Sequence, residues 1–404
     1  MNRRNILITA AAALVLRLAY VFFYGADPLN PDSLNYLAIA KNLLASGSFS
    51  LDGIAPTMSR APGYPLFIAA TGLLTGGVNI KAVLAAQAVL DSATAVYVLL
   101  LAARFVPAGW ALAAGLFYAL HPVFTGFSGM LLSESLFMHF WLLFLLSFRR
   151  GLEDGRLTPW ALAGLALALG VLTRPAHMFY PLPAAFLLAI RRPGLKAAVA
   201  GFAIFLAAAA ATMTPWVIRN YRVSGLFVTV ATGGSAAVWL GSMDHFPNKA
   251  DIDAVWPGPD YKSPEAERAF AAAAKKNWQE NRRRILLHLP YRLRKFWVTS
   301  HSSVFRVEMP NAYYRETGQY RALVCKTLLL ALQVLTLAGG LAGAWILRRR
   351  WQDALFLLMP AAYVSAHILN DWGPGRYHLS ALPCLAITAL WGLREVLASR
   401  AAPR

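Results

Sequence analysis

Long apolar runs alternate along the chain with short polar, mostly basic, connections. The runs fall near residues 6–24, 80–103, 110–128, 134–148, 159–173, 177–190, 196–215, 323–346, 352–369 and 378–396. About 20 apolar residues wound as a helix cross the ~30 Å of hydrocarbon in a bilayer. The pattern therefore predicts an all-α polytopic membrane protein with about ten transmembrane helices. The fourth to sixth runs are short, so their ends are the softest. There is no sequence repeat, heptad array or low-complexity tract.

The opening Met1-Asn2-Arg3-Arg4 and the run behind it have the charge order of a signal peptide, but the run contains Arg17 and lacks a small-residue cleavage site. It is expected to be a retained first span. With the N-terminus inside, Arg104, Arg149-Arg150, Arg191-Arg192 with Lys196, Arg348-Arg349-Arg350 and Arg394 with Arg400 all fall on the cytoplasmic side, a consistent positive-inside pattern. The same bookkeeping places two long connections outside, residues 25–79 and 216–322. Three parts follow: 1–215, an N-terminal transmembrane module with its outer loop 25–79; 216–322, an outer segment with amphipathic helices; and 323–404, C-terminal transmembrane helices. In the outer segment Ser263 to Trp297 reads as a helix pair, with Ser263 as N-cap and Pro264 in the first turn. Its arginines alternate with Ile285, Leu286, Leu287, Leu289, Phe296 and Trp297, which suits either a juxtamembrane surface among phosphates or a solvated basic face.

Composition agrees: 58% of the residues are hydrophobic and 14% charged, against roughly 45–50% and 25% for a soluble domain. The net charge of +19 would suit nucleic acid, but its distribution in short inter-span clusters argues for membrane lipids as the partner and against nucleic acid. Cys325 and Cys384 both sit in apolar runs and are expected to be packing residues. The eight histidines show no metal-ligand spacing. His245, His301 and His378 fall on the outer side, as substrate contacts or as ordinary surface residues. Asp251-Ile252-Asp253 has the Asp-x-Asp spacing with which soluble nucleotide-sugar transferases hold a metal, but it lies in an irregular outer segment where nucleotide sugars are absent, which argues against a metal role. No cofactor is implied; a divalent metal would fit the chemistry, but no ligand set is visible.

The candidate chemistry begins with Asn30-Pro31-Asp32, just before a helical pattern, and continues to Arg60-Ala61-Pro62-Gly63-Tyr64-Pro65. Asp32 is either a helix cap or a carboxylate held at the membrane face as a general base. Arg60 precedes a stretch that reads as an ordered turn entering the bilayer, a setting suited to bidentate phosphate binding. Glu134 opens the fourth span, as a dipole-favoured acid or as part of a site. Arg174, Arg219 and Arg376 lie at the same outer surface, as snorkelling residues or as the lining of a shared polar cavity. Arg17, inside the first span, is expected to face protein or water.

An aspartate after the first span, a Tyr36-x-x-x-Ala40-x-x-Leu43 helix, a glycine-containing spacer and Arg60-x-Pro62-Gly63-Tyr64-Pro65 together resemble the first loop of the C-type (GT-C) glycosyltransferase superfamily. The resemblance is to bacterial relatives of protein O-mannosyltransferases and of the lipid A aminoarabinose transferase. Leu132-Ser133-Glu134-Ser135-Leu136-Phe137, Thr173-Arg174-Pro175, Pro215-Trp216-Val217-Ile218-Arg219-Asn220-Tyr221 and Gly373-Pro374-Gly375-Arg376-Tyr377 extend it in the same order. The likeness is strong to about Ser242 and loose beyond, and residues 243–262 match nothing.

The resemblance implies a membrane glycosyltransferase of the bacterial inner membrane with its site facing the periplasm. The donor would be a polyprenyl-phosphate sugar and the acceptor a glycan, glycolipid or protein. Asp32 would be the catalytic base in an inverting displacement. Arg60, Arg219, Arg376 and Arg174 would hold the carrier phosphate, with Glu134, Tyr36, Tyr64 and Tyr377 on the substrate and acceptor side. The rival readings are a lipid-linked sugar transporter or flippase, disfavoured because the ionisable residues crowd one face and the outer loops are long, whereas transporters carry inverted repeats and helices broken at mid-membrane, and a non-catalytic lipid-binding assembly subunit.

Overall fold

A computed structural model describes residues 2–24, 30–154, 156–191, 195–243, 245, 248–258, 260, 263–369 and 375–401. Among these the chain forms eighteen α-helices and no β-strand, only an isolated bridge between Ser50 and Pro56. The first nine are α1 (Arg3–Ala19), α2 (Pro31–Ser46), α3 (Gly63–Thr75), α4 (Ile80–Ala102), α5 (Ala108–Leu120), α6 (Pro122–Ser128), α7 (Glu134–Asp154), α8 (Leu157–Thr173) and α9 (Pro181–Arg191). The others are α10 (Leu195–Ser224), α11 (Gly234–Gly241), α12 (Lys249–Val255), α13 (Pro264–Glu280), α14 (Arg282–Trp297), α15 (Asn311–Glu316), α16 (Tyr320–Ile346), α17 (Trp351–Ser365) and α18 (Leu382–Ala401).

Every predicted run is met by a helix, but not every helix spans by itself. Five stretches among the described residues are long and apolar enough to cross a membrane: α1 with its π-helical extension to Tyr24, α4, α10, the α16–α17 stretch Tyr320–Leu369, and α18. The α5–α6 pair, bent by 50°, makes a sixth if it counts as one span. α7 runs for 21 residues but ends on Arg149, Arg150, Glu153 and Asp154, while α8 and α9 have 17 and 11 residues. Length and apolarity thus support several spans and stop short of the expected ten.

Two expected boundaries move. Gly63-Tyr64-Pro65 is the first turn of α3 and not an irregular turn, because a proline in the first turn gives up only an N–H that has no helical partner there. α10 continues through Pro215 to Ser224 and so carries Arg219 on a rigid helix rather than on a departing loop. The expected helix pair appears as α13 and α14, broken at Asn281, with Ser263 accepting from the Ala266 N–H and Pro264 at the first helical position.

The bundle packs α7 on α8, α8 on α10, α4 on α5 and α7, and α1 on α4 and α5; α16 packs on α18, which joins the C-terminal helices to α5. Trp141, Phe144, Phe148, Trp160, Phe205 and Phe356 fill its interior. Small residues bring backbones together, since within lipid close packing replaces the hydrophobic effect between helices. At Gly392 of α18 a Cβ would lie 2.6 Å from Gly343 Cα of α16.

Charge is segregated along the helices. At one end Arg149 pairs with Glu153 and, at 2.9 Å, with Asp353; Arg104 meets Glu153 at 3.0 Å, and Arg350 meets Glu395 at 3.3 Å. The opposite end, where α2, α3 and α7 begin, holds the candidate site. Between them Arg17 of α1 is fully buried, as the expectation that it faces protein requires. Its Nε lies 2.5 Å from Asp91 Oδ2 of α4, and it also donates to the Ala119 carbonyl at 2.9 Å. Tyr118 Oη donates to the other Asp91 oxygen at 2.6 Å.

Candidate active site

Asp32 is not a helix cap. Asn30 fills that place, its side chain accepting from the Ser33 N–H at 2.9 Å, and Pro31 takes the first helical position. The Asp32 carboxylate is left to other partners and lies between two arginines. Arg60 Nη2 is 2.8 Å from Oδ1 and Arg376 Nη2 is 3.9 Å from Oδ2. Arg376 also donates through Nη1 to Glu134 Oε1 at 3.0 Å, and Arg174 meets the same oxygen at 2.6 Å. Among the described residues, three guanidinium groups thus surround two carboxylates, leaving one positive charge in excess.

The elements that deliver these groups converge for local reasons. Asp32 and Glu134 stand in the first turns of α2 and α7, where an acid complements the positive end of the helix. Arg174 follows the last turn of α8, in an extended conformation ahead of Pro175, which disfavours a helical conformation for it. Arg60 is brought to it by Gly63: a Cβ there would lie 2.5 Å from Thr173 Oγ1 and 3.1 Å from the Leu172 carbonyl. Only glycine lets α3 start against the end of α8.

Tyrosines line the cluster. The Arg60 guanidinium lies 5.8 Å from the Tyr36 ring centre, and that of Arg174 5.5 Å from the Tyr377 ring. Burial, together with the Glu134 and Asp32 carboxylates, raises the Tyr36 pKa, with Arg174 opposing, so its hydroxyl keeps its proton and is available as a donor. Tyr64 stands one layer behind. It is wholly buried, packs edge-on to Tyr36 at 5.0 Å and donates to Gln87 at 2.9 Å.

Arg219 is not part of the cluster. Its guanidinium holds the first loop, donating to the Thr57 carbonyl at 2.7 Å and the Phe49 carbonyl at 3.2 Å, and lies over the Phe49 and Trp216 rings. That loop leads directly to Arg60, so α10 fixes the path of the chain that delivers it. Gly373 and Pro374 of the last motif lie outside the described residues; Gly375 and Arg376 open a 3-10 turn to Ser380.

A cavity of about 810 Å³ opens beside Arg376 and Asn30, walled on the far side by Thr299 to Met309. His301 lines it. Instead of forming ordinary surface, His301 and His378 are buried and meet Nε2 to Nε2 at 2.9 Å. Burial first, and then Arg376, holds the His301 pKa down to about 4, against an opposing effect of Glu134. Asp251 and Asp253 serve α12: Asp251 forms a reciprocal cap with Asn248, and Asp253 pairs with Lys249 at 2.7 Å. Among the described residues no group of three or more His, Cys, Asp or Glu is placed to hold a metal ion.

The residues missed by pattern reading support the site from behind. Gln87, buried in α4, accepts from Tyr64 and donates to the carbonyls of Phe127, Ser128 and Met130, tying α3 to the turn before Glu134. Gln87 and Asp91 one turn later are an amide and a carboxylate inside a mostly apolar span, which is the signal that could have found them.

A family model described as dolichyl-phosphate-mannose-protein mannosyltransferase matches residues 59–218, which include Arg60, Glu134 and Arg174. No curated protein matches the chain. The solved structures similar to it include the oligosaccharyltransferase of Archaeoglobus fulgidus in complex with zinc and sulfate, 15% identical with a TM-score of 0.59, covering 98% of this chain and 49% of that one. The archaeal oligosaccharyltransferase AglB from the same organism, in complex with an inhibitory peptide and a dolichol-phosphate, is 16% identical with a TM-score of 0.56, over 99% of this chain and 52% of that one. ArnT from Cupriavidus metallidurans bound to undecaprenyl phosphate is 15% identical with a TM-score of 0.47, over 99% of this chain and 80% of that one. The chain spans about half the length of the archaeal enzymes. The family match and the shared fold bear out the resemblance to C-type glycosyltransferases.

Proposed function

We propose that the chain is a membrane-embedded glycosyltransferase that moves a sugar from a polyprenyl-phosphate carrier to an acceptor hydroxyl on the outer face of a bacterial inner membrane. The observation that carries this reading is the cluster of Arg60, Arg174 and Arg376 around Asp32 and Glu134, with a positive charge left over at a cavity mouth. A phosphate monoanion balances that charge, and planar guanidinium groups match its geometry. The family match and the dolichol-phosphate in the archaeal neighbour support a lipid phosphate as the anion.

In this mechanism the carrier phosphate draws Arg60 and Arg376 away from Asp32, whose carboxylate is the more exposed of the two acids, 36% against 5% for Glu134. The freed carboxylate accepts the proton of the acceptor hydroxyl. The acceptor oxygen forms a bond to the anomeric carbon as the bond from that carbon to the phosphate oxygen breaks, and the phosphate leaves with the electron pair. Attack opposite the leaving group inverts the anomeric centre. Alignment of the nucleophile and neutralisation of the leaving phosphate supply the acceleration. Glu134 holds Arg376 and Arg174 through one carboxylate oxygen while Arg376 turns from Asp32 to the phosphate, Arg219 fixes the loop that carries Arg60, and Tyr36 offers a hydroxyl donor. The catalytic module assigned to residues 1–215 is completed by Arg376 and Tyr377 from the C-terminal part.

The test is mass spectrometry of envelope glycans, with purified-protein binding of polyprenyl phosphate, for wild type and Asp32→Asn. Transfer is expected to fall roughly 10²–10⁴-fold while carrier binding and melting temperature hold. Full transfer by Asp32→Asn would overturn the assignment.

A further inference from the structure

The cavity beside Arg376 continues away from the acid pair. Its wall carries Arg306 and Lys326 as well as Arg376, with Glu308 the acid among the described lining residues. Lys326 donates to the Met309 carbonyl at 2.7 Å, which leaves two of its three N–H groups for another partner. Thr299, Ser300 and Lys326 also line a second cleft of about 240 Å³ that reaches Thr327 and Leu330 on α16. α16 lies in the longest membrane-spanning stretch, and on it Val324 and Leu328 are exposed. The path therefore runs from Arg376, which reaches the Asp32 carboxylate at 3.9 Å, past cations and hydroxyls, to the apolar flank of α16.

The turn that walls it is strained. His301 and Arg306 have φ of 52° and 60° at either end of the Ser302–Phe305 3-10 turn. Non-glycine residues are disfavoured in this region and, where they occur, concentrate at ligand sites. The volume suits a whole head group.

We infer that this path takes the acceptor, and that the acceptor is a lipid with an anionic head group. Its chains lie along α16 at Leu330, its phosphate or carboxylate rests between Lys326 and Arg306, and its hydroxyl reaches Asp32 past Arg376. The inference rests on the transferase reading and gives it an acceptor class. It separates the two substrates: the arginines around Asp32 serve the carrier, and Lys326 with Arg306 serves the acceptor.

The experiment places the photo-crosslinking residue benzoylphenylalanine at Thr327 in the full chain, illuminates membranes of producing cells and identifies the adducts by mass spectrometry. The expected adduct is an anionic lipid other than the polyprenyl-phosphate sugar. Its yield is expected to fall roughly five- to tenfold in Lys326→Glu, to persist in Lys326→Arg and to be unchanged in Asp32→Asn. A polyprenyl-phosphate adduct assigns the path to the carrier and overturns the inference while leaving the transferase reading intact. A peptide adduct, or a lipid adduct indifferent to Lys326, also overturns it. Failure of the transferase reading is read separately, from transfer by Asp32→Asn.

Discussion

Two ionic clusters share this bundle, and they differ in what is left over. Around Asp91, every strong group is matched: both carboxylate oxygens are taken, by Arg17 and Tyr118, and both charged side chains are sealed, at 0% and 1% exposure. Around Asp32, three arginines meet two acids, Asp32 remains a third exposed, and Arg60 Nε and Glu134 Oε2 have no hydrogen-bond partner among the described residues. A closed pair inside a membrane protein ties helices together, here α1, α4 and α5. An open one, at the edge and with surplus charge among the described residues, is what the proposed carrier-phosphate site requires.

Removing one partner of the closed cluster gives the largest expected effect. Asp91→Leu strands the Arg17 charge in the interior and is expected to destabilise the protein by about 3–5 kcal/mol, seen as a lowered melting temperature in detergent. Arg17→Met combined with Asp91→Leu is expected to recover most of that loss. Unchanged melting for the single variant would mean the two clusters do not differ in kind. In the open cluster Arg376→Lys keeps the charge and loses the fork that spans Asp32 and Glu134. Transfer is expected to drop about 10- to 100-fold, or roughly 1.4–2.7 kcal/mol, with melting unchanged.

Smaller effects sharpen the boundary of the open cluster. Arg219→Gln removes the clamp on the Phe49 and Thr57 carbonyls without touching the cluster. It is expected to lower transfer about tenfold, in keeping with hydrogen bonds from a charged group worth ~1.5 kcal/mol, and to speed proteolysis of residues 47–62. The smallest effect appears only in acid. The unfolded chain takes a proton on His301 near pH 6.5, whereas the folded one refuses it until about pH 4. Stability from this residue is therefore full above pH 6.5 and lost as pH falls towards 4. Thermal melts from pH 7 to 4.5 check this, and His301→Gln is expected to flatten the decline.

Much of the candidate site was legible in the sequence because its residues sit at the ends of apolar runs, where charge stands out. Asp32, Arg60, Glu134, Arg174 and Arg376 were named as one surface and are within ion-pair reach as one network. Arg219 was legible as a charge but not in its task, since its partners are backbone carbonyls, which leave no trace in side-chain pattern. Likewise Tyr64 reads as a site residue by its neighbours, yet it is Gln87, more than twenty residues away, that claims its hydroxyl. His301 and His378 looked like surface residues because their partnership spans 77 positions.

Apolar run length and the placement of charged residues determined, from sequence alone, that this is a helical membrane protein with Asp32, Arg60, Glu134, Arg174 and Arg376 at one end of its helices. Periodicity and hydropathy are local sums over neighbouring residues, so they survive any change in how the helices pack. Only tertiary structure decided which acid answers which arginine, that Asn30 and not Asp32 caps α2, and that Gly63 seats Arg60 beside Arg174. Those outcomes depend on ångström-scale approach between helices far apart in the chain, and on side chains competing for a fixed number of donors.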